Sequence, residues 1–122
     1  MRKGSHAYEQ ALDALIGILR DGARKGAEPL QYGQLSDELQ RLDHPVPAHE
    51  GPMPHLLEDA SARGNPDGSL PMLSALVVRQ ETRMPSGGFF KLARRAPYRR
   101  TGDDVELWVN ELRALAAHHS RR

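Results

Sequence analysis

Four prolines fall within twelve residues, at Pro45, Pro47, Pro52 and Pro54. Each fixes its own φ, lacks an amide donor and pushes the residue before it out of the helical region. No helix or strand can therefore run through 43–54. The chain is divided into two helix-forming stretches joined by a stiff, extended connection. On the N-terminal side, Tyr8, Ala11, Leu12, Leu15, Ile16, Leu19 and Ala23 recur at three- and four-residue intervals, the spacing of one helical face. A helix from Ser5 to about Lys25 is predicted, with Ser5 as N-cap and Gly26 as stop. Ile18 widens the stripe, so this helix is either well buried or shared with a partner. After a break at Gly26–Pro29, Leu30, Leu35, Leu39 and Leu42 predict a second helix from about Gly33 to Leu42. Tyr32 stands ready to staple its first turn.

Beyond the prolines, Met53, Leu56, Leu57 and Ala60 predict a third helix over about Pro52–Arg63, with Pro52 near its first turn. The cluster GNPDG at 64–68 predicts a turn. Residues 70–80, LPMLSALVVRQ, read as the one clear strand, apolar on both faces. A turn-rich loop follows and ends at Gly87-Gly88, and Phe89, Phe90, Leu92 and Ala93 suggest a short helix running to Arg95. Past Pro97, Thr101 or Asp103 caps a long last helix, and Asp103-x-x-Glu106 has the form of a capping box. Val105, Leu107 or Trp108, Val109, Leu112, Leu115 and Ala116 follow at helical spacing. His118, His119, Arg121 and Arg122 place positive charge at its C-terminal end, where the helix dipole favours it.

The chain has 122 residues, the size of one domain, and only 5% of them are aromatic. The core must then be built mainly from Leu, Ala, Val and Ile. With no cysteine, disulfides, thiol catalysis, thiolate zinc sites and iron–sulfur clusters are excluded. No apolar run approaches the roughly 20 residues of a membrane span, and none follows the basic start in the manner of a signal peptide. A cytoplasmic protein that does not bind membrane is expected.

Charge is unevenly spread. The total is 17 Lys+Arg against 16 Asp+Glu. Within 71–100, however, Arg79, Arg83, Lys91, Arg94, Arg95, Arg99 and Arg100 face Glu81 alone. A local block of this kind can act on a polyanion although the whole chain is near neutral, and arginine suits bidentate phosphate contacts. The competing reading is a solvated, arginine-rich surface.

The order of three helices, a strand and a basic loop is that of a winged helix, a helix-turn-helix relative whose third helix enters the major groove. Tyr32-Gly33-Gln34-Leu35, Leu70-Pro71-Met72-Leu73, Val77-Val78-Arg79 and Gly87-Gly88-Phe89 carry a narrower likeness. With them, residues 30–90 resemble the DNA-binding domain of the DNA alkyltransferases and alkyltransferase-like proteins. That resemblance implies a winged-helix scaffold and DNA as partner. The family has Pro-Cys-His-Arg, or Trp for Cys, before the valine pair. Here Ser74-Ala75-Leu76 occupy those positions, so alkyl transfer is excluded. The stretch 71–95 is also similar to segments of small uncharacterised bacterial and phage-type proteins, a likeness that implies no activity.

Other chemistry finds little support in the residues. His44, His49 and His55 lie near Asp43, Glu50, Glu58 and Asp59, ligand types that suit zinc or manganese, but their spacing matches no HExxH pattern. Ser74 and Ser86 sit in no G-x-S-x-G elbow, and Gly87-Gly88 leads to Phe-Phe-Lys rather than a phosphate-cradling loop. No catalysis, cofactor or metal is expected. Phe89 and Phe90 read as core anchors in preference to base-stacking groups.

The expected architecture is one α+β, helix-rich, winged-helix-like domain over 1–122. Its core spans about 30–96, with long terminal helices at 5–25 and 101–119. The expected function is non-catalytic binding of duplex DNA. Phosphate contacts are expected from Arg79, Arg83, Lys91, Arg94, Arg95, Arg99 and Arg100, joined by Tyr32 beside the second helix and Arg63 at the end of the third. Glu58 and Asp59 on that third helix argue against major-groove entry, because they repel phosphate. The alternative is a protein-interaction or homodimerisation module that uses the terminal helices.

Overall fold

The computed structural model describes residues 1–49 and 51–120. Helix α1 runs His6–Arg24, and Ser5 Oγ accepts the Tyr8 amide at 3.2 Å, as an N-cap does. Its buried residues are the seven read from the periodicity, and Gly26 ends it at φ +102°. Helix α2, Tyr32–Arg41, begins one residue earlier than its leucine pattern suggests. The Gln31 amide reaches back to Gln34 Oε1 at 2.7 Å, one arm of a capping box. The proline link then crosses to α3, Met53–Ala62, tied to α2 where Ser36 Oγ donates to the Val46 carbonyl at 2.5 Å.

The strand expectation for 70–80 needs correction. Leu73–Leu76 form a 3₁₀ turn, and only Val77–Val78 (β2) are extended. Their partner is a two-residue strand that the periodicity does not reveal, Leu30–Gln31 (β1), and the pair is parallel, Leu30 against Val77 and Gln31 against Val78. The reason lies in the local hydrogen bonds. Ser74 N donates to Ser61 Oγ and Ala75 N to Met72 O, so these amides are satisfied without a neighbouring strand. The basic stretch expected as a wing is likewise no hairpin. Residues 79–84 close a tight turn, Arg79 N to Met84 O and Arg83 N to Arg79 O, both 2.9 Å, and Gly87–Arg94 form α4. Helix α5 spans Asp104–His119, with Asp103 Oδ1 accepting the Glu106 amide at 2.9 Å.

The result is a helix-rich α+β fold with a minimal parallel ladder. One cluster of buried side chains draws on every helix. Leu12, Leu15 and Leu19 of α1 sit at its centre, with Leu35, Leu56, Leu76, Leu107 and Leu115 around them. Phe89 and Phe90 are buried in it, as core anchors should be, and meet edge to face with centroids 5.2 Å apart. The Tyr8 hydroxyl donates to Asp59 at 2.5 Å and pins α1 to α3. Burial and that carboxylate push the phenol well above its usual range. Among the described residues no helix is long and apolar enough to cross a membrane.

Candidate functional site

A cleft of about 460 Å³ opens where the start of α2, the end of the proline link, α3, the segment after β2 and the start of α4 meet. Leu57, Leu92, Phe89 and Pro54 supply its apolar surface. Polar groups are contributed by Tyr32, His49, Glu58, Ser74, Arg79, Glu81 and Ser86. The Tyr32 hydroxyl donates to Ser86 Oγ at 3.2 Å and so bridges α2 to the residue before α4. His49 lies against the Tyr32 ring with centroids 5.5 Å apart. Tyr32 thus neither staples its own helix simply nor hangs free for a phosphate; it holds one wall of the cleft.

Ser74 lies in the 3₁₀ turn and lines the cleft. Its hydroxyl shares a 2.7 Å hydrogen bond with Ser61 Oγ, and its amide donates to the same oxygen at 3.0 Å. Among the described residues no histidine or carboxylate bonds either hydroxyl. The pair therefore acts as a polar strut between α3 and the 3₁₀ turn, with no base to activate it.

The structure sorts the seven cations of 79–100 into three kinds. Arg100 is a structural lock. Its Nε donates to Glu111 at 2.5 Å, Nη1 to the carbonyls of Gly68 (2.8 Å) and Tyr98 (3.0 Å), and Nη2 to that of Leu70 (2.8 Å). Glu111, 5% exposed, also accepts the Met72 amide at 2.9 Å. Arg100 is therefore removed from the phosphate-contact set, because its donors are committed inward. Arg79, Arg94 and Arg95 are exposed but paired: Arg79 with Glu81 (3.5 Å), Arg94 with Asp104 (2.8 Å) and the Gly102 carbonyl, and Arg95 with Glu58 (2.9 Å). Arg83, Lys91 and Arg99 are exposed and make no ion pair among the described residues. Arg83 and Arg99 both adopt positive φ, +58° and +52°, which places them at turns. Arg63 lies apart from this group: it pairs with Glu9 (3.1 Å) and Asp13 (3.5 Å) of α1.

His44, His49 and His55 do not assemble into a ligand set. Among the described residues no three histidine or carboxylate side chains are placed to hold a metal ion. Of these three histidines, His49 alone lines the cleft. At the other end of the fold, burial first, then His118, Arg20 and Arg24, hold the His119 imidazole below its ordinary pKa of 6.5.

Three contributors do not show in the sequence pattern. Glu58 reads there as a phosphate-repelling residue, yet it lines the cleft. Glu111 reads there only as one of four acids, with Asp103, Asp104 and Glu106, that the 79–100 cations could pair with; the fold gives it to Arg100 and the Met72 amide. Asn65 reads only as part of a turn. Its Oδ1 accepts the Leu70 amide and its Nδ2 donates to the Leu70 and Ser61 carbonyls, so it sets the path into the 3₁₀ turn.

No protein-family model, curated protein or solved structure matches the chain.

Proposed function

We propose that this chain is a non-catalytic DNA-binding protein on a winged-helix-like, helix-turn-helix scaffold. One observation carries the reading. Tyr32, Ser74, Arg79 and Gly88-Phe89 come from, or directly follow, the separate segments that resemble the alkyltransferase DNA-binding domain, and they line a single cleft. The phosphate-contacting set is Arg83, Lys91 and Arg99, with Arg79, Arg94 and Arg95 recruited from exposed ion pairs. Exposed pairs are worth about 1 kcal/mol or less, so phosphate can displace them at little cost. Tyr32 leaves the set because its hydroxyl is engaged within the fold, whereas Arg63, whose pairs with Glu9 and Asp13 are equally exposed, stays in it as a further recruited cation.

Equilibrium binding to duplex DNA at about 50 and 200 mM salt tests the proposal, since each neutralised phosphate releases counterion. Affinity that falls steeply with salt is the expected result. Absence of binding at the lower salt rejects it.

The second reading, a protein-interaction or homodimerisation module, draws support from the pairing of Arg79, Arg94 and Arg95 with carboxylates. It also draws on the terminal helices, where Ile18, Trp108 and Leu112 are only partly buried and Val105 is 59% exposed. A concentration-dependent dimer in sedimentation, with no DNA affinity, favours it.

A further inference from the structure

Helix α5 is apolar on two sides. One side, marked by Leu107 and Leu115 with Glu111 between them, is buried in the fold. Beside it run Val105, Val109, Leu112 and Ala116, spaced four, three and four residues apart, the repeat that forms a seam between two helices. Leu112 and Ala116 are half-buried against the rim of the core. Val105 is exposed, and Val109 is half-buried without joining the core cluster. The core therefore does not account for this second stripe. Trp108, the one tryptophan of the chain, lies between the two sides, half-buried, with its indole N–H donating to the Ala75 carbonyl at 2.8 Å. Charge identifies what fits the stripe. Along its other edge, away from Trp108, stand Glu106 and Arg113, seven residues apart. Both are exposed, and neither is in an ion pair among the described residues.

We infer that this stripe pairs with the same stripe of a second copy of the chain, antiparallel, about a two-fold axis between Val109 and Leu112. That register sets Val109 against the partner's Leu112 and Val105 against the partner's Ala116. It also sets Glu106 beside the partner's Arg113 and Arg113 beside the partner's Glu106, so one sequence supplies both halves of two ion pairs. The two helix dipoles oppose, which favours the arrangement. Parallel pairing would set each charge level with its own copy and align the dipoles. Four short seam layers make a small interface, so the dimer is weak and depends on concentration. The inference rests on the homodimerisation reading, to which it gives a definite surface and register, and it leaves DNA binding to its own test.

The full-length chain is sedimented from about 10 μM to about 1 mM while Trp108 fluorescence is followed. The mass should rise from monomer towards dimer, and the emission should move to shorter wavelength as the exposed edge of the indole is covered. Glu106→Arg and Arg113→Glu each put like charges at both contacts and should weaken the dimer about tenfold or more. An equimolar mixture of the two variants should restore it, because unlike charges then meet at both contacts; a merely damaged fold would not recover on mixing. Val109→Asp should leave a folded monomer, its fold checked by circular dichroism. The chain has no cysteine, so Val105→Cys and Ala116→Cys report orientation. Oxidised together, the two variants should cross-link to each other in preference to themselves. A chain that is still monomeric at about 1 mM, charge variants that do not recover on mixing, or cysteines that link like to like overturns the inference. A dimer that survives Val109→Asp removes this surface and leaves homodimerisation standing. Salt-sensitive DNA binding by a monomer removes the inference and leaves DNA binding standing.

Discussion

Two sets of ion pairs near helix α4 differ in nearly every physical respect. The Arg100–Glu111 pair is 20% and 7% exposed, and the further bonds of both side chains go to backbone groups. At the cleft, Arg95–Glu58 and Arg79–Glu81 are about half exposed, with few supporting hydrogen bonds. Burial raises the effective strength of a charge interaction and also the cost of leaving either partner alone. The first system therefore fixes the chain path from Gly68 to Met72 against α5. The second can open at little cost, because its partners are half exposed. Cations that look alike in sequence thus differ in the fold: Arg100 is locked inward, while Arg79 and Arg95 stay in exposed pairs.

The largest effect is expected from breaking the lock. Glu111→Ala strands a guanidinium and the Met72 amide, and should cost about 3–5 kcal/mol in chemical denaturation. A loss below about 1 kcal/mol would show that the pair is looser than its geometry. Gly68→Ala attacks the same lock through the backbone. Gly68 sits at φ +73°, and a methyl group there would lie 2.6 Å from the Pro97 carbonyl carbon and oxygen. Strain and displacement together should destabilise by about 2 kcal/mol or more. At the cleft, Arg79→Ala and Arg95→Ala should each change stability by less than about 1 kcal/mol while weakening DNA affinity. A large stability loss with unchanged affinity reverses the assignment.

The smallest effect concerns pH. His119 is held below its ordinary pKa of 6.5, chiefly by burial. The unfolded chain then binds its proton first, so stability is present above about that pH and is lost as pH falls through the lowered folded value. The thermal midpoint should decline less steeply from neutral to mildly acidic pH in His119→Gln than in the parent chain.

How legible this is in the sequence depends on the range of the interaction. Local signals read well. The α1 stripe, its Ser5 cap, the Asp103 cap and the proline break all depend on residues within a few positions of one another, and all are present. The stretch 70–80 misleads because its apolar residues reflect burial, which serves a 3₁₀ turn as well as a strand. What its amides bond to depends on Ser61, thirteen residues back from Ser74. The cleft gathers residues from 32 to 92, and charge signs alone cannot reveal that Arg100 finds Glu111 while Lys91 finds no acid among the described residues. Glu58 shows the limit most clearly. As a charge on a helix it argues against DNA, and in the fold it lines the cleft and pairs with Arg95, a partner thirty-seven residues away in sequence.

The division of the cations is tested most directly by the salt dependence of duplex binding, measured for the parent chain and for Arg83→Ala, Lys91→Ala and Arg99→Ala combined. Binding at low salt is predicted, with a log–log slope that shrinks by up to about 2.7 in the triple variant, roughly 0.9 for each phosphate no longer neutralised. An unchanged slope, or no binding by the parent chain at about 50 mM salt, would contradict that division.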